Sequence, residues 1–102
     1  MQKEMNQYLA HLAQNYRDWN KQGQPREMQF FVERGRNYAK IVSIAPMSQQ
    51  RSVHSFVVIK ETKGFKLGDI LMAKSWNAPA TNFARGNILT GNFERINWCG
   101  AS

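Results

Sequence analysis

The chain has little of what several classes of protein require. Cys99 is the only cysteine among 102 residues, so an internal disulfide framework is excluded. The seven glycines are scattered and form no phosphate-binding loop. No apolar run approaches the roughly 20 residues that a membrane-spanning helix needs, and the first residues lack the apolar stretch of a secretory signal. These absences predict a cytoplasmic protein that does not enter a membrane.

Residues suited to metal or acid–base chemistry are also sparse. His11, His54 and Cys99 share no ligand spacing, so the sequence predicts no metal site and no cofactor. There is no nucleophile elbow, and the acidic residues offer no paired carboxylates. We therefore assign no catalytic residue. Active sites can assemble from residues that are distant in sequence, so a small enzyme or nucleotide binder stays as a third alternative.

Acidic residues are in the minority. Seven of them face 14 Lys and Arg, which gives a formal net charge of +7. Such an excess favours polyanionic partners. Hydrophobic residues make up 42% of the chain and aromatic residues 12%, which is enough for a packed core. The length fits a single domain over residues 1–102.

The N-terminal segment predicts an amphipathic helix over residues 1–22. Its apolar residues recur at three- and four-residue steps and form one stripe. They are Met1, Met5, Tyr8, Leu9, Leu12, Tyr16 and Trp19. Gly23 and Pro25 predict the end of this helix. We expect the stripe to cover one face of a sheet.

Residues 28–73 have β character. Runs rich in β-branched and aromatic residues at 28–32, 38–45, 52–60 and 65–73 alternate with turn signals, and Pro46 ends the second run. Apolar residues on both faces of 52–60 predict a central strand. The sequence thus predicts an α+β fold with a three- to four-stranded, mainly antiparallel sheet.

The sequence Asn77-Ala78-Pro79 predicts a short second helix over residues 77–86. Asparagine accepts a hydrogen bond from the amides of a first helical turn, and proline is favoured at the first helical position. Gly86 fits a C-terminal stop. We expect the tail over residues 87–102 to pack back on the domain, where a further strand is one option.

Two stretches combine cations with aromatic rings. The first holds Arg34, Arg36, Tyr38 and Lys40, of which Tyr38 and Lys40 should share one face of a strand beside a basic turn. Arginine can bind phosphate through two hydrogen bonds, and tyrosine can stack on an unpaired base. The alternative is an ordinary hairpin in which Tyr38 is half-buried and the arginines are solvated.

The second stretch holds Lys74, Trp76 and Asn77, with Arg85 further along the chain. A helix that starts at Asn77 presents free amides to an anion, and Trp76 can stack on a base. The alternative is a capped helix in which Trp76 belongs to the core and Lys74 is solvated.

Four segments resemble a group of small uncharacterised proteins encoded by tailed bacteriophages. They are residues 35–42 (GRNYAKIV), 52–57 (SVHSFV), 74–80 (KSWNAPA) and 84–87 (ARGN). The resemblance covers residues 34–90. It implies a phage origin and a role in the host cytoplasm during infection. It carries no established activity and assigns no catalytic residue.

The leading hypothesis is a phage accessory protein that binds nucleic acid through a basic and aromatic face. The residues predicted to form this face are Arg34, Arg36, Tyr38, Lys40, Lys74, Trp76, Asn77 and Arg85. The alternative is an interaction module that inhibits or redirects a host protein, because an acidic partner suits the same charge. Homo-oligomerisation through an uncovered sheet face or edge is a further option.

Overall fold

One helix and six strands make up the regular structure in a computed structural model that describes residues 1–20, 28–45 and 48–100. In chain order they are α1 (Gln2–Trp19), β1 (Gln29–Arg34), β2 (Tyr38–Ile44), β3 (Arg51–Val58), β4 (Asp69–Ser75), β5 (Ala78–Pro79) and β6 (Gly86–Asn87). The predicted signals at Gly23, Pro25 and Pro46 lie outside the described residues.

The apolar stripe of α1 is the face that the helix buries. Met5, Tyr8, Leu12 and Tyr16 are all buried and are separated by three or four residues, so they project from the same side of the helix. Burying each such side chain fully contributes about 1.5–3 kcal/mol. The predicted packing of an N-terminal helix on a sheet is therefore confirmed.

The sheet is open and antiparallel, with the strand order β1-β2-β3-β4-β5 and with β6 also paired to β4. The predicted sheet type is confirmed, and two strands of two residues each extend it beyond four. The β3 strand is central, as its apolar residues on both faces indicate. The α1 side of the sheet packs Ala39, Ile41, Val57 and Ile70 against the helix. The other side carries Phe56, Val58 and Leu71, and we call it the open face.

A bulge in β3 changes which residues point at the helix. Ile41 pairs with Ser55 and Val42 pairs with Val53, so His54 is an extra residue in the ladder. As a result, both His54 and Ser55 contact residues on the α1 side. The Tyr8 hydroxyl lies 2.8 Å from Ser55 Oγ, and His54 Nδ1 lies 2.8 Å from the same oxygen.

The predicted second helix over residues 77–86 is wrong. Trp76 and Asn77 form the turn of a hairpin in which Ser75 pairs with Ala78. The amides that a helix needs are bonded to β4, since Ala80 N donates to Met72 O at 2.8 Å and Arg85 N donates to Ile70 O at 2.7 Å. An isolated helix this short is marginal in water. Pairing with β4 satisfies the same groups and keeps Pro79 on an edge strand.

Beyond β6 the chain runs through turns as far as Gly100, and it packs back on the α1 side through Ile88 and Ile96. Side chains hold three successive tail residues. His11 Nε2 donates to Ile96 O at 2.9 Å, and His54 Nε2 donates to Asn97 O at 2.7 Å. Trp98 N donates to Asn15 Oδ1 at 3.0 Å. The tail is therefore joined to both α1 and β3.

Among the described residues, no helix combines the length and the apolar character that crossing a membrane requires.

Candidate functional site

The open face carries a groove of about 350 Å³ beside the β1–β2 hairpin, which we call the hairpin groove. Its lining residues are Glu33, Arg34, Gly35, Arg36, Asn37, Tyr38, Lys40, Phe56 and Asn77. Five of the eight residues predicted for the site therefore line one cavity: Arg34, Arg36, Tyr38, Lys40 and Asn77.

The tight turn between β1 and β2 brings the cations together. Gly35 N donates to Tyr38 O at 2.8 Å, and a Cβ on Gly35 would lie only 3.0 Å from that oxygen. The turn leaves Arg36 exposed at its tip. Glu33 and Lys40 are register partners on the two strands, so their side chains are neighbours on the open face.

The Trp76–Asn77 turn reaches across the open face to β2. Lys40 Nζ donates to Asn77 Oδ1 at 3.1 Å and lies 4.5 Å from the centroid of the Trp76 ring. Asn77 thus bonds to a residue 37 positions away and does not cap a helix. Trp76 remains 40% exposed, so the alternative that placed its ring in the core does not hold.

A cation that the sequence reasoning missed also lies on this face. Arg51 forms an ion pair with Glu33, and its guanidinium carbon lies 5.2 Å from the centroid of Phe31 and 5.8 Å from that of Trp76. The two-residue spacing from Arg51 to Val53 on β3 could have shown that both share one face. Its pairing with Glu33 depends on strand register, which the local sequence does not contain.

Lys74 and Arg85 do not line the hairpin groove. Lys74 is exposed at the irregularity between β4 and β5. The Arg85 guanidinium lies 3.7 Å from the centroid of Phe83, and its Nη2 lies 3.8 Å from Met72 Sδ. Met72 alternates with Leu71 and Ala73, which pack on the open face, so strand alternation places Arg85 on the opposite side.

The charges around the groove suit an anion. Arg34, Arg36 and Lys40 line it, and Glu33 is the single carboxylate among its described lining residues. Arg34 Nη2 donates to Gln2 Oε1 at 2.8 Å, whereas Arg36 is exposed at the tip of the turn and Lys40 lies against the Trp76 ring. The contact between Lys40 and the exposed Trp76 contributes about 0.5–1 kcal/mol. A ligand that offers both negative charge and a flat ring can replace it.

Ser55 and His54 do not form a usable nucleophile pair. Ser55 is fully buried and His54 is 5% exposed, so no substrate reaches the hydroxyl. The Asn97 carbonyl can only accept, so His54 Nε2 carries the proton and the neutral ring accepts at Nδ1. Ser55 therefore donates to His54, and Tyr8 donates to Ser55. Burial lowers the pKa of His54, which keeps the ring neutral.

Metal chemistry has no support in the described part of the chain, where no group of three or more His, Cys, Asp or Glu side chains could hold an ion. The open face offers groups suited to non-covalent contacts. Cations supply charge, Asn77 supplies an amide and Tyr38 and Trp76 supply rings.

Fold and site together define an α+β protein whose helix covers one side of an antiparallel sheet and whose other side carries a cationic, aromatic groove. A family model matches residues 1–102, and its description is a family of unknown function, DUF7717. The chain belongs to this family. A comparison with curated proteins found no match, and a comparison with solved structures found none either.

Proposed function

We propose that this chain is a small basic accessory protein that binds nucleic acid through the hairpin groove. The observation that carries the proposal is the convergence of Arg36, Tyr38, Lys40 and Asn77 on one open cavity, together with the contact of the Lys40 ammonium with the Trp76 ring. Cations beside accessible rings are the features that contact phosphate and bases in proteins that bind single strands.

The net charge of +7 supports the same proposal, because a basic chain attracts polyanions before any specific contact forms. On the resemblance of residues 34–90 to proteins of tailed bacteriophages, we also propose that this activity operates in the host cytoplasm during infection. That origin belongs to the proposal as well.

The test is a titration of labelled oligonucleotides followed by fluorescence anisotropy between about 50 and 200 mM salt. The binding constant should fall steeply with salt, since each phosphate contact releases counterions. In the double variant Arg36→Ala/Lys40→Ala, the slope of log K against log salt should decrease by about 0.7 per lost contact for a single strand.

The matched control is Lys3→Ala/Arg95→Ala, which removes the same charge from exposed positions on α1 and on the tail. This control should change the slope much less than the groove variant does. Equal losses in the two variants would mean that binding follows net charge and not the hairpin groove. Absence of binding at low salt would discard the proposal.

A second candidate function, an interaction module that acts on a host protein, is favoured by a different surface. Trp19 is 66% exposed, and its ring centroid lies 4.9 Å from that of Trp98. Exposed tryptophans are frequent anchors of protein interfaces. A partner captured after nuclease treatment that is lost in Trp19→Ala and retained in Lys40→Ala would support this function over nucleic-acid binding.

A further inference from the structure

The size of the hairpin groove bears on which form of nucleic acid it accepts. Its volume of about 350 Å³ lies near the lower end of the roughly 300–1,000 Å³ typical of small-ligand pockets. A single unpaired nucleotide can enter such a space, whereas bases held inside a duplex cannot reach its floor. Phe56 and the half-buried Tyr38 form part of that floor.

The two aromatic rings near the groove are held differently. Tyr38 packs edge-on against Phe56 with 6.1 Å between ring centroids, which fixes it as part of the sheet. Trp76 lies in a two-residue hairpin turn and is 40% exposed. Its ring is contacted by the cations of Lys40 and Arg51, and phosphate attracts both of them.

We infer that the hairpin groove takes an unpaired nucleotide whose base stacks on Trp76 where the Lys40 ammonium lies in the free protein. Lys40 then turns from the ring and from Asn77 to a phosphate. An exposed cation–π contact is weak, and a base–aromatic stack contributes more. Lys40 exchanges a hydrogen bond to a neutral amide oxygen for one to an ionised phosphate oxygen, in which both partners carry charge. This inference rests on the proposed function.

Three labelled probes of equal phosphate number distinguish the inference from that function: a single strand, a hairpin duplex and an abasic strand with no bases. The single strand should bind more tightly than the abasic strand by roughly 5- to 150-fold, the range expected for one base stack. It should also bind more tightly than the duplex. Tryptophan fluorescence should be quenched by the single strand and should not change with the abasic strand.

Variants assign the quenching to one ring. Trp76→Leu should lose the preference for the single strand and the quenching, while Trp76→Phe, which keeps a ring, should retain part of the preference. The control Trp19→Leu removes an exposed tryptophan outside the groove and should behave like the parent chain. Urea unfolding checks that each variant is folded.

The outcomes separate cleanly. Equal affinity for the abasic and single strands overturns the stacking inference and leaves phosphate binding by the groove intact. Tighter binding of the duplex overturns the inference as well. If no probe binds, both the inference and the proposed function fail. A preference for the single strand that persists in Trp76→Leu also refutes the assignment to Trp76.

Discussion

Replacing Glu33 with Gln should strengthen nucleic-acid binding. Glu33 forms an ion pair with Arg51 and is the register partner of Lys40, so its charge offsets two cations of the open face. The Glu33 and Arg51 side chains are 42% and 48% exposed. A pair this exposed contributes only about 0–1 kcal/mol to stability, and the variant should fold. Glu33→Gln leaves Arg51 available for a phosphate.

One additional phosphate contact should steepen the dependence of log K on log salt by about 0.7 for a single strand. At about 0.1 M salt, one such contact raises log K by roughly 0.7, which is about a fivefold higher affinity. Anisotropy titrations of a labelled single strand over a range of salt concentrations measure both quantities. The gain in affinity should shrink as salt is raised, because screening weakens exposed charges.

Glu94→Gln is the matched control, since it removes an exposed carboxylate from the tail. Either substitution leaves 14 basic against six acidic residues, a net charge of +8 instead of +7. Glu94→Gln should change affinity much less than Glu33→Gln. Unchanged or weaker binding by Glu33→Gln, or an equal gain in both variants, would refute the role assigned to the groove.

Three further predictions concern stability. Ser55→Ala should lower the free energy of unfolding by roughly 2–4 kcal/mol, because it leaves the Tyr8 hydroxyl and His54 Nδ1 unsatisfied, whereas Tyr8→Phe should cost about 1 kcal/mol. Urea unfolding in which Tyr8→Phe loses more stability than Ser55→Ala would contradict the assigned direction of donation. His54 should not reduce the free energy of unfolding above pH 6.5, the ordinary pKa of histidine. That free energy should decrease as the pH falls from 6.5 toward the lower pKa of folded His54, because the unfolded chain then binds more protons than the folded one. An NMR titration that places the pKa of His54 at or above 6.5 would contradict this. Gly86→Ala should destabilise the fold by about 2 kcal/mol or more, since its Cβ would lie 2.1 Å from Asn92 O; an unchanged urea midpoint would count against the close approach.

Local patterns account for the part of the fold that the sequence predicts well. The stripe from Met5 to Tyr16 has helical spacing, and these residues are buried in α1. The run around Phe56 is apolar on both faces, and it is the central strand. In both cases the periodicity of the residues and their burial follow from the same local geometry.

The errors arise where a local signal has two physical readings. Asn77-Ala78-Pro79 reads equally as a helix start and as a hairpin turn leading into an edge strand. The segment forms a hairpin because β4 carbonyls accept hydrogen bonds from the backbone amides of Ala80 and Arg85. The convergence of Lys40 with Trp76 and the pairing of Glu33 with Arg51 likewise depend on strand register. Register is a property of the whole sheet. The sequence therefore predicts which kinds of side chain the groove combines, but only partly which residues lie together in it.

The attachment of the tail to α1 has a consequence for biosynthesis. His11 and Ile96 are separated by 85 positions, and Asn15 and Trp98 by 83. While the ribosome is still translating the middle of the message, Tyr8 and Leu12 have left the exit tunnel without the partners that Ile88 and Ile96 provide. Because domains generally fold as units, the apolar stripe of α1 stays without these partners until the tail has been synthesised.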